Sequence, residues 1–237
     1  DFVLFGRPDV TIVVVDSTRL ERNLNLVLQI LDITDRVVVF LNLADEARRH
    51  GVAIDASKLE AQLGVPVVEG VARESRGIDE LLDVAHQVAT GQRVTRPLRI
   101  EGYPPDVEQA VASLTAAVNG AFPGLPNARW VAQRLLRADE AVTEAVRSGE
   151  LGHLGEGPAA GSPAPPEGAG ESRHAILEAA RRLRWDLPAS LQDTFAERTF
   201  AVAHRIAEEA LTRGLEKSRF NLDRTLDGLL TSRTFGF

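Results

Sequence analysis

The chain has 237 residues, 44% hydrophobic and 26% charged, enough apolar side chain for one large or two small globular domains and too much for a disordered polymer. It contains no Cys, which excludes disulfide scaffolds, zinc–thiolate sites, iron–sulfur clusters and cysteine nucleophiles together and reads as a cytosolic composition. With 27 Lys and Arg against 34 Asp and Glu the formal charge is −7, a field that does not draw in nucleic acid.

No stretch approaches the roughly 18 apolar residues of a membrane-spanning helix. Asp1–Val10 carries no secretory signal. Met is absent, even at position 1, so the chain is expected to be a piece of a longer or processed protein.

The N-terminal part alternates strands and helices. Val10–Val15 is a continuous β-branched run, Arg36–Leu41 a second and Val65–Val68 a weaker third. Apolar runs without alternation belong to strands buried on both faces, the habit of parallel sheets. Leu20, Leu24, Val27, Leu28 and Leu31 repeat at helical spacing, behind a capping box with Thr18 as N-cap and Glu21 three residues on. A second helix is predicted over Ala56–Leu63, stopped by Gly64, and a third from Ile78 to Ala89, with Gly91 beyond it. The layout implies right-handed parallel crossovers.

From Arg93 onward the strand-like runs stop. Asp106–Ala121, Pro126–Ser148, Ser172–Arg184, Ser190–Arg213 and Leu222–Ser232 read as helices. A domain boundary is placed in the Gly- and Pro-rich break at Thr90–Pro105, giving an α/β domain over residues 1–92 and a helical domain over 93–237. Within the latter, Gly155–Gly170 holds five Gly, four Pro and four Ala, a flexible low-complexity loop.

In open parallel sheets ligands sit at the carboxyl ends of the strands. There the sequence places Asp16-Ser17-Thr18, then Asn42-Leu43-Ala44-Asp45, then Val71-Ala72-Arg73. A carboxylate such as Asp45 has only acceptors. A guanine edge offers it two donors, the ring N1–H and the exocyclic amine, whereas adenine offers an acceptor at N1 and no amine at C2. A bidentate, charge-assisted pair of this kind discriminates by several kcal/mol. Asn42 is placed to bridge the base N7 and the neighbouring loop, the Ala72 N–H to meet the guanine O6, and the Arg73 stem to lie against the base. The alternative is that Asn42 and Asp45 merely cap the helix that starts there.

The segment Val13-Val14-Val15-Asp16-Ser17-Thr18-Arg19-Leu20-Glu21-Arg22-Asn23-Leu24-Asn25-Leu26 resembles the VVDATNLERNLYL segment of the ferrous-iron transport protein B (FeoB) family, GTPase-coupled transporters of bacterial inner membranes. Gln29, Val38–Glu46, Leu63–Val68 and Arg76–Leu81 continue the resemblance in register. More loosely, Arg129–Leu136 resembles a family helix of the form RWxAxxLL, and Asp227–Gly236 the DRILTHRxxG segment that precedes the first transmembrane helix.

The resemblance implies a partial P-loop GTPase fold, its three strands lying in sequence order with Val10–Val15 as an open edge prone to aggregation, followed by a helical domain that slows GDP release. It implies a guanine site at Asn42, Leu43, Asp45, Val71, Ala72 and Arg73, and GTP or GDP as ligand with Mg²⁺ in the intact protein. The family's phosphate loop (Gly-x-x-x-x-Gly-Lys-Ser/Thr) and its Asp-x-Pro-Gly segment do not occur in this sequence; both are expected upstream of Asp1, with the Mg²⁺ ligands. The chain alone is therefore expected to bind nucleotide poorly and to be inactive, and the intact protein to hydrolyse GTP slowly. Two positions depart from the common GTPase pattern: Leu43 stands where Asn-Lys-x-Asp carries Lys, apolar as in other family members, and Val71 where the base loop commonly carries Ser.

The implied setting is the cytoplasmic face of the bacterial inner membrane, with the chain's own transmembrane domain downstream, small Feo accessory proteins as partners and no nucleic acid. The rival readings are a non-catalytic helical interaction module and a soluble P-loop GTPase of another family, such as a ribosome-associated one. The remaining candidates have structural explanations. Glu21 is a capping residue, Arg22 and Asn23 are helix surface or subunit contacts, Trp130 and Trp185 are packing anchors, and Phe200, Val202, Ile206 and Leu211 are a core stripe. The five His are structural or exposed, none at metal-ligand spacing.

Overall fold

The computed structural model describes residues 8–125, 127–152 and 169–213. Its strands in chain order are β1 (Thr11–Asp16), β2 (Val37–Asn42), β3 (Val52–Ile54), β4 (Val67–Glu69) and β5 (Leu211–Arg213). β1, β2 and β4 form a parallel sheet in that order. β1 thus pairs on one side only among the described residues, the edge position that the resemblance implies.

The helices of the N-terminal part are α1 (Leu20–Leu31), α2 (Ala44–Arg49), α3 (Ala56–Leu63) and α4 (Ile78–Ala89). The two faces of β2 divide them. Val37, Val39 and Leu41 join the apolar cluster that holds α1 and α3, while Val38 and Phe40 pack with Leu81, Val84, Ala85 and Val88 of α4. Both faces are covered, which is why β2 is apolar from Val37 to Leu41. On β1 only alternate residues are buried: Val13 and Val15 are inside, whereas Val14 is 56% exposed.

The C-terminal part comprises α5 (Pro105–Ala121), α6 (Ala128–Leu136), α7 (Glu140–Ser148), α8 (Ala169–Asp186) and α9 (Leu191–Ala210). The larger apolar cluster does not stop at the linker; it runs from Leu24 and Leu28 of α1 to Phe195, Ala203 and Ile206 of α9. The linker itself is strapped down. The Arg96 and Leu98 N–H groups donate to the Gly64 and Leu63 carbonyls at 2.9 and 2.8 Å. Gly64 caps α3 at φ +69, and a Cβ there would lie 1.9 Å from the Arg96 carbonyl oxygen, so only Gly permits the approach.

Several sequence expectations need correction. The helix expected over Pro126–Ser148 is two, because Ala138 turns left-handed (φ 57) and Asp139 caps a new start by accepting the Val142 N–H. The strand-free C-terminal half contains β5: the helix expected to reach Arg213 stops at Ala210, and the chain pairs antiparallel with β3. The capping box does not form. Asp16 accepts both the N–H and the hydroxyl of Thr18 at 2.8 and 2.7 Å, which makes Ser17–Arg19 a short 3-10 turn and delays α1 to Leu20. Glu21 instead faces His204 of α9 at 3.2 Å. Trp185 is 89% exposed and Phe200 59%, so neither is a core anchor, although Val202 and Ile206 are. His50, His86, His174 and His204 are exposed. His153, most of the Gly155–Gly170 loop, the Leu222–Ser232 helix and the pre-membrane tail lie outside the described residues. No helix among the described residues is long and apolar enough to cross a membrane.

Candidate functional site

The carboxyl ends of the three parallel strands share one rim. Asp16 and Asn42 are paired in register at the ends of β1 and β2, and β4 ends one residue before Gly70. Gly70 donates its N–H to the Leu41 carbonyl at 2.9 Å and accepts that of Ala44 at 3.4 Å. A Cβ on Gly70 would stand 2.4 Å from the Arg76 carbonyl oxygen and 2.6 Å from the Phe40 ring. The backbone leaving β4 therefore passes against β2 and Arg76 at a spot where no side chain fits.

Leu43 adopts the left-handed conformation (φ 60, ψ 30) and serves as N-cap of α2 without a side-chain capping bond. That conformation costs a non-Gly residue on the order of 1 kcal/mol. It turns the chain from strand to helix within one residue. Asn42 is left free to reach sideways, and Asp45 sits in the first turn of α2, where a negative charge is favoured. Neither Asn42 nor Asp45 is the N-cap of α2, a place that Leu43 takes.

The Asn42 Oδ1 accepts the Ala72 N–H at 3.0 Å. In this state the Ala72 N–H is committed to Asn42, and offering it to a base oxygen means sharing or exchanging that bond. Val71 is buried and closes a small antiparallel bridge with Arg76, followed by a left-handed Ser75 (φ 56) and Gly77 (φ 81). The loop Val71–Gly77 is thus a rigid hairpin-like turn facing α2.

Asp45 lies between these two segments, its side chain only 11% exposed. Its Oδ2 pairs with the Arg73 guanidinium at 2.5 Å and with Arg49 at 3.5 Å. Its Oδ1 is buried and has no hydrogen-bond partner, a state that costs free energy until a donor arrives. Arg73, expected to offer its stem to a base, instead turns its guanidinium onto Asp45, Glu46 and Glu74. The Arg76 guanidinium bonded to Glu74 holds that carboxyl below its usual range, and Arg48 pairs with Glu69 beside them. Sequence reading missed Glu46, Arg49, Glu74 and Arg76 as parts of this network. Arg49 was accessible from its spacing four residues after Asp45; the rest depends on the loop meeting α2 across 28 residues of chain.

The rim thus presents an amide tied to the neighbouring loop and a carboxylate with one unmet acceptor, the donor-seeking chemistry expected of a purine site. Among the described residues no group of three or more His, Asp or Glu could hold a metal ion. A second polar locus lies at the junction of the two halves. Gln29, Asp32, Tyr103, Gln133, Arg134 and Arg137 help line a cavity of about 30 Å³, and burial there pushes the Asp32 carboxyl up to about 6.

Two family models match the chain: ferrous iron transport protein B over residues 1–85 and the FeoB cytosolic helical domain over residues 103–212. The chain is 38% identical over 143 residues to a Fe(2+) transport protein A/Fe(2+) transporter FeoB fusion protein of Porphyromonas gingivalis, covering 59% of this chain and 17% of the relative. It is 31% identical over 138 residues to the Fe(2+) transporter FeoB of Escherichia coli, covering 58% and 17%. The chain therefore spans about a sixth of the length of these relatives. In fold it is similar to the crystal structure of a mutant S. thermophilus NFeoB bound to GDP, with a TM-score of 0.64 and 24% identity over 90% of this chain and 72% of that one.

Proposed function

This chain belongs to the ferrous iron transport protein B family, and from that premise we propose that it forms the guanine-selecting part of a GTPase that drives or gates ferrous iron uptake, joined to its helical domain. We place the boundary between the two at 92/93. Asn42 holds the base loop through Ala72, and Asp45 accepts the two donors of the guanine edge. Leu43 sets the turn that presents both, while Val71 and Ala72 wall the base and Arg73 stands against Asp45.

The observation that supports this reading most directly is the Asp45 Oδ1, buried at the strand rim and without a donor. A guanine edge satisfies both oxygens of that carboxylate; an adenine edge leaves them unmet. The relatives, Fe(2+) transporters by name, support the transport side of the proposal, and the GDP-bound fold neighbour its nucleotide.

The phosphates of GTP, and the Mg²⁺ that neutralises them, are to be held by residues outside this chain, since no phosphate loop occurs in its sequence. Hydrolysis then belongs to the intact protein, at the cytoplasmic face of the inner membrane, with the transmembrane domain following this chain and small Feo proteins as accessory partners. The test is competition in the intact protein: GDP must displace a fluorescent GDP far better than ADP does. Equal displacement by ADP overturns the reading.

A further inference from the structure

We propose that Arg73 is an internal competitor of the base. Its guanidinium closes the Asp45 site, and guanine enters as Arg73 shifts onto Glu46 and Glu74. This rests on the guanine reading of Asp45 above.

The argument begins with what a carboxylate accepts. A guanidinium and a guanine edge present the same pattern, parallel N–H donors on a planar frame. Arg73 reaches Asp45 from the segment that also supplies Ala72, so it stands where a base contacting both would lie. The imitation is incomplete. Arg73 bonds only Oδ2 of Asp45, at 2.5 Å, and Oδ1 keeps no partner. Guanine can serve both oxygens, so it gains a bond that the arginine does not make.

The two partners also differ in freedom. The Asp45 side chain is 11% exposed and fixed in the first turn of α2, whereas that of Arg73 is 47% exposed. Arg73 is therefore the part that moves. It has somewhere to go: Glu46 Oε1 lies 3.2 Å from one of its nitrogens and Glu74 Oε1 3.6 Å from another. Leaving Asp45 thus keeps the guanidinium paired. That keeps the exchange shallow, since half-exposed ion pairs are weak and screened by salt.

A site closed for part of the time binds with an affinity reduced by the open fraction. In the intact protein, binding of N-methylanthraniloyl-GDP should therefore tighten about three- to fivefold in Arg73→Ala, mostly through faster association, with Arg73→Lys intermediate because an ammonium lacks the fork. Glu46→Gln removes one resting place for the guanidinium and should shift affinity the opposite way, about twofold weaker. Added salt should speed association in the wild type relative to Arg73→Ala. Unchanged or weaker binding by Arg73→Ala, in a protein that still prefers GDP over ADP, overturns the competitor and leaves the guanine reading standing. No preference of the wild type for GDP over ADP overturns both.

Discussion

The Asn42 carboxamide oxygen accepts the Ala72 backbone N–H at 3.0 Å, across 30 residues of chain, and so ties the end of β2 to the loop after β4. The bond makes two strand ends into one surface. Without it the loop would be held to β2 only through backbone contacts at Gly70 and by the charges around Arg73.

Asn42→Ala is accordingly expected to loosen the base loop more than the sheet. The stability loss should be about 1 kcal/mol, the usual worth of one net hydrogen bond, measured by urea unfolding of this chain. Guanine-nucleotide affinity of the intact protein should fall by more than that loss accounts for. A variant that loses stability and keeps its affinity would show that the tie is architectural only.

Gly70→Ala tests the close crossing of backbone beneath the site. Its methyl would meet the Arg76 carbonyl oxygen at 2.4 Å and the Phe40 ring at 2.6 Å, neither of them the free end of a flexible side chain. A destabilisation of about 2–4 kcal/mol is expected from overpacking of this kind. Gly91→Ala, where nothing lies within 4 Å but φ is +74, serves as a comparison and should cost only about 1 kcal/mol, the price of a left-handed Ala. Equal losses in the two would refute the steric account.

Asp32 gives the domain junction a pH dependence. Burial raises its carboxyl from the ordinary 3.8 to about 6, against the opposing pull of Arg99, the Ile100 N–H, Arg129 and Arg134. Because the folded value lies above the unfolded one, the folded protein takes up the proton first as pH falls. This group therefore destabilises fully above pH 6, and its cost shrinks between about 6 and 4. The difference between Asp32→Asn and wild type isolates it from the other carboxyls. The variant should be the more stable at pH 7.5, by up to roughly 3 kcal/mol for a shift of two units, and the gap should narrow at pH 5. A gap that stays constant with pH would remove Asp32 as its source.

How far these features were legible in the sequence differs with their range. The three parallel strands are visible because each is a short β-branched run between turn residues, while their order comes from the P-loop GTPase resemblance and not from the runs themselves. The site residues were visible because a strand end is where such a sheet binds its ligand. The β3–β5 ribbon was hidden. Val52–Ile54 is three residues long, and Leu211–Arg213 continues a helical pattern that only pairing with a strand far away in the chain can interrupt. The capping box fails for a local reason: Asp16, two residues earlier, accepts the Thr18 N–H. Arg73 was seen as a wall for the base and not as a partner of Asp45, because periodicity within an element carries no information about a charge 28 residues away. Trp185, expected as a packing anchor, falls at the end of α8 and leaves its ring exposed.

The central claim is that the Asp45 carboxylate reads guanine through its two donors, and a change of base tests it most directly. Xanthine replaces the exocyclic amine of guanine by a carbonyl oxygen, and an Asn at this position would offer that oxygen an amide N–H. In the intact protein, Asp45→Asn is expected to lose GDP affinity by 100-fold or more, as a buried polar site does when its partner is mismatched, and to gain affinity for xanthosine diphosphate. A variant that keeps its preference for GDP over xanthosine diphosphate would contradict the account.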